Sequence, residues 1–244
     1  HIDINNFFHN NLSKYKIILP QHYTVVKRKM KKSFIIETQH CQRNWDTTQQ
    51  IPKDHIDLLD ASVRYCPSKQ NYAFYNAKFI TNRKLIEQIH DTTNPNGNGG
   101  FGVITDPTQP LSPENTTFYT NPQTLANLLI IFNYNIPYAK QKSLKDKFGH
   151  FDYPFKRDAD MAIGIALGYL FFIANSLGYK TGGNACWDVD DLRSLLNEDP
   201  NYDPAVMIGI GYPDDDRNPR EHHTDPSFTF PTKPKEEIQI EYYT

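Results

Sequence analysis

The feature that most constrains this chain is an apolar run, Met161–Leu177, that contains no charged residue. The run falls short of the about 20 apolar residues that a membrane span requires, and it includes Asn175. Asp158 and Asp160 precede it, and acidic side chains in a first turn stabilise a helix through its dipole. We therefore predict a buried core helix over residues 157–177 and no membrane segment.

Two glycines in this helix, Gly164 and Gly168, share one face because they lie about one helical turn apart. A face without side chains allows another backbone to approach closely. We predict that this face contacts a second helix, such as one across a dimer interface. Gly178 is expected to end the helix, since glycine readily adopts the left-handed conformation that follows a last turn.

Composition argues against several other classes of protein. The net charge is −2, so the chain has no general field that would attract nucleic acid. Its one basic cluster, residues 27–32, is typical of a solvated helix face. The three cysteines form no CxxC pair, which argues against a thiolate zinc site and against a disulfide framework. Because the first residues lack the apolar stretch of a signal peptide, we expect a cytoplasmic protein.

The remaining pattern predicts a single domain over residues 37–244, preceded by a helical extension over residues 1–36. Leu128–Phe132 is continuously apolar, as in a buried strand. Residues 93–113 are rich in Asn, Gly and Pro and are predicted to form a long loop, and residues 138–153 look irregular. Further predicted elements are helices over 51–66, 82–90 and 189–196 and strands over 77–81, 206–211 and 238–243.

Several common catalytic motifs are absent from the sequence. It contains no GxGxxG after a strand, no GxxxxGK[ST], no HExxH and no GxSxG. The Gly-rich stretch 97–100 lies among Asn and Pro and is interpreted as a flexible loop. His222 and His223 are adjacent, so their side chains diverge, and a solvated loop explains them better than a metal site.

Three polar segments and one strand end occur in an informative order. They are Gln39–Trp45, Cys66–Asn71, Leu177–Asp188 and the end of a predicted strand at Gly211-Tyr212-Pro213. This order resembles the FMN-dependent nitroreductase family, from about Gln39 to Arg220. The resemblance implies an α+β, three-layer α/β/α nitroreductase-like fold with a mixed, mainly antiparallel sheet and a helix-mediated homodimer. It also implies FMN at the subunit interface, with NADH or NADPH as reductant.

The opening segment matches the family's basic–Ser–basic pattern at His40, Cys41 and Arg43. The resemblance gives these positions contacts with the phosphate, the ribityl chain and the flavin edge. A guanidinium at Arg43 would stabilise the negative charge of reduced flavin. Gln39 replaces the family's first Arg and Cys41 replaces its Ser.

The second segment, Pro67, Ser68 and Asn71, matches a P-S-x-x-N turn that the family presents to the flavin of the other subunit. The residues that follow, Ala73–Tyr75, retain an aromatic residue but not the family's Gln-Pro-Trp.

The later positions complete the predicted cofactor site. Four residues of the third segment fall on the loop that the family places against the flavin ring: Gly183, Asn184, Ala185 and Cys186. Backbone N–H groups there would polarise the ring. Arg217 and Arg220 follow Gly211-Tyr212-Pro213 where the family supplies phosphate ligands, with Lys233 and Lys235 as alternatives.

We expect ping-pong reduction of a small organic acceptor, such as a nitroaromatic, quinone, flavin or enone, with no catalytic side chain because the cofactor performs the difficult step. Two alternatives stay open. One is different flavin chemistry on the same scaffold: dehalogenation, flavin fragmentation or azoline oxidation. The other is a flavin-binding dimer without turnover, which the departures at Gln39, Cys41, Ala73 and Cys186 suggest.

Overall fold

The computed structural model describes residues 35, 36, 38, 41–93, 101–104, 116–135, 155–214 and 236–243. The regular elements belong to one compact unit, residues 33–244. The helices are α1 (Lys53–Arg64), α2 (Arg83–Asp91), α3 (Phe155–Ser176) and α4 (Val189–Leu196). The strands are β1 (Tyr75–Ile80), β2 (Phe101–Ile104), β3 (Thr116–Tyr119), β4 (Leu128–Tyr134), β5 (Lys180–Asn184) and β6 (Pro204–Gly211).

Four of these strands form the central sheet, in the order β1-β4-β6-β5, and every neighbouring pair is antiparallel. β2 and β3 form a separate antiparallel pair. One parallel bridge, between Cys41 and Thr181, extends the sheet beyond β5. The predicted mixed, mainly antiparallel sheet is therefore confirmed.

Strand β4 is buried on both faces, which explains its continuous apolar sequence. Successive side chains in a strand point to opposite faces. Leu128, Ile130 and Phe132 accordingly pack in one cluster with α1 and α3. Leu129 and Ile131 pack in a second cluster with α2 and α4. Helices thus cover both faces of the sheet, as the predicted three-layer α/β/α architecture requires.

Helix α3 lies on the sheet through one stripe of buried residues: Ala159, Ile163, Ala166, Leu170 and Ala174. Among the described helices it alone is long and apolar enough, by length and composition, to cross a membrane. Its packing on the sheet is what the sequence predicts for a core helix. The opposite side exposes four large apolar side chains to solvent: Met161, Ile165, Tyr169 and Phe172.

The ends of the helices follow from local chemistry. Asn82 caps α2 by accepting a hydrogen bond from the Leu85 N–H, and Asp188 caps α4 by accepting from the N–H groups of Asp190 and Asp191. Gly178 follows α3 with a positive φ of 90°. That angle suits glycine, as the sequence predicts for the end of this helix.

The structure corrects two predicted loops. Residues 101–104, within the loop predicted over 93–113, form strand β2, which pairs with β3. Residues 180–184 form strand β5, although Gly183 and Asn184 are predicted to lie on a loop. The sequence Lys-Thr-Gly-Gly-Asn has little intrinsic strand propensity, so β5 is imposed by its pairing with β6.

The predicted strand over 238–243 is also absent. Residues 236–243 have no regular structure in this chain and are exposed. Several predicted features fall outside the described residues: nearly all of the extension over 1–36, the basic cluster 27–32, the stretch 97–100, the irregular segment 138–153 and His222-His223.

Ile89 tests the α2 side of the core. We expect Ile89→Ala to lower the free energy of unfolding by about 2–5 kcal/mol, because Ile89 is fully buried and the substitution leaves a cavity. The neighbouring Gln88→Ala, at an exposed position, should change it by less than about 0.5 kcal/mol. Urea denaturation of both variants measures the difference, and equal effects would contradict the packing described for α2.

Candidate functional site

The opening polar segment lies along the outer edge of β5. The Gln42 N–H donates to the Thr181 carbonyl at 2.9 Å, beside the parallel Cys41–Thr181 bridge. The Cys41 thiol lies 3.7 Å from the Gly183 carbonyl and donates to it. The segment therefore joins the sheet as a short additional strand, which places Cys41 beside the Gly183–Cys186 stretch.

A second set of contacts holds the end of this segment on the residues that follow β6. Trp45 forms a bridge with Pro213, and its indole N–H donates to the Pro122 carbonyl at 2.9 Å. The Asp46 N–H donates to the Tyr212 carbonyl at 2.9 Å. The Gly211-Tyr212-Pro213 motif thus holds the opening segment on the sheet through backbone contacts.

Asn127, in the turn before β4, ties these parts together. Its amide donates to the carbonyls of Asp46 and Gln49 at 2.8 and 2.9 Å, while its side-chain oxygen accepts from the Tyr212 N–H at 3.1 Å. A Cβ at Gly211 would lie 2.0 Å from that oxygen. The glycine of the motif therefore leaves room for the Asn127 side chain.

Arg43 is placed by this framework. Its side chain is half-buried, and one terminal nitrogen donates to the Cys41 carbonyl at 3.1 Å. Because Cys41 is itself bridged to Thr181, the guanidinium stays close to the β5 edge. This provides a fixed positive group beside the predicted flavin loop.

Asn184 shapes the loop after β5. Its side-chain amide donates to the Cys186 carbonyl at 2.9 Å, and its side-chain oxygen accepts from the Cys186 N–H at 3.0 Å. The Cys186 N–H is therefore engaged within the loop in this conformation. Asn184 is buried and Ala185 is exposed, so Asn184 supports the loop from inside.

The second polar segment forms a tight turn between α1 and β1. Gln70 and Asn71 both adopt left-handed backbone conformations, with φ of 54° and 55°. The Asn71 N–H donates to the Ser68 carbonyl at 3.1 Å, and the Ser68 hydroxyl donates to the Tyr72 carbonyl at 2.8 Å. Asn71 tolerates the left-handed conformation better than most residues, which gives a physical reason for Asn in this turn.

Ser68 and Asn71 line a cavity of about 650 Å³ beside β1. Cys66 and Tyr75 also line it, and the Tyr75 hydroxyl donates to the Val63 carbonyl at 2.6 Å. Burial, together with the contact to the Cys66 thiol, raises the pKa of Tyr75 above its ordinary value. Tyr75 therefore stays a neutral hydrogen-bonding group in this wall at physiological pH.

The predicted site residues divide into two groups at opposite edges of one sheet. Cys41, Arg43 and the stretch 183–186 lie at the β5 edge, and the turn 67–71 precedes β1 at the other edge. With about 4.8 Å between neighbouring strands, the two edge strands are about 14 Å apart. A single chain does not bring the groups together. His40, Arg217 and Arg220 fall outside the described residues.

Sequence reasoning misses two residues that build the β5 edge. A Cβ at Gly182 would lie 2.3 Å from the Gln42 carbonyl oxygen, so the opening segment can approach β5 only at a glycine. Gln123 is buried and donates to the Gly183 carbonyl at 3.3 Å. The Gly182-Gly183 pair is visible in the sequence. The role of Gln123 depends on its contact with Gly183, which is distant in the sequence and which no local pattern predicts.

Comparisons with known proteins identify the fold. No protein-family model matches the chain, and no curated protein sequence matches it significantly. Among solved structures, it resembles a nitroreductase from B. subtilis with a TM-score of 0.54 at 13% identity, over 75% of this chain and 66% of that chain. The chain thus spans just under two thirds of that protein.

Two further structures match over most of their length. A protein named as a nitroreductase, in complex with FMN, from Exiguobacterium sibiricum has a TM-score of 0.55 at 14% identity, covering 76% of this chain and 90% of that one. An iodotyrosine deiodinase bound to FMN and 3-iodo-L-tyrosine has a TM-score of 0.57 at 16% identity, covering 87% and 98%. The chain has the nitroreductase fold, as its sequence motifs predict.

The paired glycines of β5 provide a matched test of the site. We expect Gly182→Ala to lower the free energy of unfolding by about 1–3 kcal/mol, because the new Cβ meets the backbone of Gln42 at 2.3 Å. Gly183→Ala should be well tolerated, since its Cβ would have only an ordinary contact of 3.6 Å with Ile208. Thermal unfolding compares the two, and an equally unstable Gly183→Ala would contradict the close approach at position 182.

Proposed function

We propose that the chain is an FMN-dependent oxidoreductase that works as a homodimer and takes hydride from NADH or NADPH. One observation carries the proposal: in a nitroreductase fold, the residues that match the family's flavin motifs lie at opposite sheet edges. Two copies related by a twofold axis would bring one group from each chain to a shared site.

The residues present fit a flavin mononucleotide. Arg43 supplies a fixed guanidinium, which suits the flavin edge where negative charge develops on reduction. Gly183 has no side chain and the exposed Ala185, just after β5, has a small one, which would leave space for a planar ring. Asn71 lines the 650 Å³ cavity and is exposed, so its side-chain amide could donate to a ligand.

When bound, FMN would supply reversible hydride transfer between a nicotinamide and an acceptor. The chain's own residues bind and orient. Arg43 would favour the reduced, anionic form, while Ser68 and Asn71 would offer hydrogen bonds from the second copy. Arg217 and Arg220 remain the proposed phosphate ligands, and His40 and Cys41 remain proposed contacts of the phosphate and the ribityl chain.

The dimer itself is proposed to form through α3. This helix exposes Met161, Ile165, Tyr169 and Phe172 on the side away from the sheet. A Cβ at Gly164 or Gly168 would meet nothing within 4 Å, so the backbone there is open to a neighbouring helix. A contiguous exposed apolar face of this kind is typical of an interaction surface.

The tail is proposed to contribute to the same assembly. Ile238, Ile240 and Tyr242 alternate with polar residues and are exposed in the single chain. Such alternation suits a strand with one buried face, and β1 has a free outer edge among the described strands. We propose that the tail of each copy adds to the sheet of the other.

The visible absorption spectrum tests the function. We expect the purified protein, loaded with FMN where necessary, to show flavin bands that bleach when NADH or NADPH is added without oxygen. A nitroaromatic or quinone should then restore the bands. Arg43→Ala should weaken FMN binding by at least about tenfold, because the charged hydrogen bonds to the flavin edge are lost.

Each other result would decide against part of the proposal. Persistent bands after addition of either nicotinamide would contradict the proposed reductant and favour a flavin-binding dimer without turnover. Bleaching that only a halogenated aromatic reverses would favour dehalogenation. A protein that takes up no FMN would contradict flavin chemistry altogether.

A mixing experiment tests whether the site is shared between copies. Homodimers of Arg43→Ala and of Asn71→Ala, assayed at an FMN concentration no higher than the wild-type dissociation constant, should each have little activity, because every site lacks one group that binds FMN. Exchanging their subunits should restore roughly a quarter of wild-type activity, since half of the dimers are mixed and each mixed dimer has one intact site. Absence of recovery, with exchange verified by native mass spectrometry, would place both residues in the same site of one chain.

A further inference from the structure

The turn that carries Ser68 and Asn71 is joined to helix α3 by an ion pair with a buried carboxylate. The Lys69 ammonium lies 3.0 Å from a carboxylate oxygen of Asp158, in the first turn of α3. The Asp158 side chain is 2% exposed, whereas that of Lys69 is 44% exposed. A carboxylate so deeply buried is stabilised by charged or hydrogen-bonding partners, and Lys69 is one of them.

Apolar packing reinforces the same connection. Phe74, just after the turn, is buried against Ala159 and Ala162 on the next turns of α3. Tyr72 packs edge-to-face on Phe74, with ring centres 5.9 Å apart. The turn is therefore fixed to α3 both by charge, through Lys69, and by packing, through Phe74.

The position of Lys69 gives the pair a consequence for the site. It stands between Ser68 and Asn71, which both line the cavity, and it precedes two left-handed residues. Left-handed backbone is disfavoured for residues other than glycine, so the conformation persists only where the surroundings impose it. The tether from Lys69 to α3 is one such constraint.

We propose that Lys69 and Asp158 are positioning residues: their ion pair holds the Ser68–Asn71 turn in the conformation that presents Ser68 and Asn71 to the flavin of the second copy. The identity of the ligand rests on the proposed function, whereas the ion pair between Lys69 and Asp158 does not. Because α3 also carries the proposed dimer face, the pair links subunit docking to the order of the cofactor turn.

Lys69→Met, Lys69→Arg and a control, Lys53→Met, test the proposal. Lys53 pairs with Asp57 on the surface of α1, where both side chains are exposed, so it controls for the loss of one lysine. The first measurement is amide hydrogen–deuterium exchange over residues 68–73 in the full-length protein without FMN. Lys69→Met should accelerate exchange about tenfold, Lys69→Arg should keep it within about threefold of wild type, and Lys53→Met should not change it.

The second measurement is the dissociation constant for FMN, from quenching of flavin fluorescence. Lys69→Met should raise it about tenfold while leaving kcat at saturating FMN nearly unchanged, and Lys69→Arg, which keeps a positive charge near Asp158, should keep it within about threefold of wild type. If Lys69→Met does not fold, Asp158→Asn, which retains a hydrogen-bonding side chain for Lys69, should show the same two effects in smaller measure.

The two measurements separate failure of the inference from failure of the proposed function. If Lys69→Met leaves amide exchange unchanged, the ion pair does not hold the turn, whatever ligand the protein binds. Faster exchange with an unchanged FMN dissociation constant would overturn its role in cofactor binding. A wild-type protein that binds no FMN, yet shows the exchange pattern, would contradict the proposed function and the role in binding, and would leave the tether established.

Discussion

The close approach of the opening segment to strand β5 organises the candidate site. Gln42 and Thr181 share a backbone hydrogen bond, and the crossing is possible only because Gly182 has no side chain. That contact positions the residues of this chain that are proposed to contact the flavin edge. Arg43 is anchored next to it, and the carbonyl of Gly183 is held by both Cys41 and Gln123. These hydrogen bonds therefore hold the β5 edge in a defined conformation.

Strand β4 provides the base on which this surface rests. Its side chains alternate between two buried clusters, so helices cover the sheet on both faces. The described residues that match the flavin motifs lie beside the two outer strands, β5 and β1. In such an architecture a site built from both edges requires two chains, and the exposed side of α3 offers the surface on which they would meet.

Sequence reasoning succeeds where one physical signal dominates. The core helix and β4 are predicted because their apolar patterns are those of buried elements, and the helix predicted over 189–196 forms at those bounds, with Asp188 as its N-cap. β5 is missed because its residues gain a strand conformation only from β6 and from the opening segment. Asn127 and Gln123 are missed for the same reason. Their partners are distant in sequence, and a single side chain gives no periodic signal.

The departures from the family pattern have a consistent physical meaning. Cys41 stands where the family has Ser, and its thiol still donates to a backbone carbonyl, as a hydroxyl would. Phe74 lies in the Ala73–Tyr75 stretch, where the family has Gln-Pro-Trp, and its ring is buried against α3, so it packs the turn on that helix. Cys186 stands in a loop whose shape Asn184 determines through the N–H and carbonyl of residue 186, so these two hydrogen bonds do not depend on the thiol. At each of these positions the residue present suits its contact, because that contact is made by backbone groups, by a side chain that can donate a hydrogen bond, or by an apolar ring.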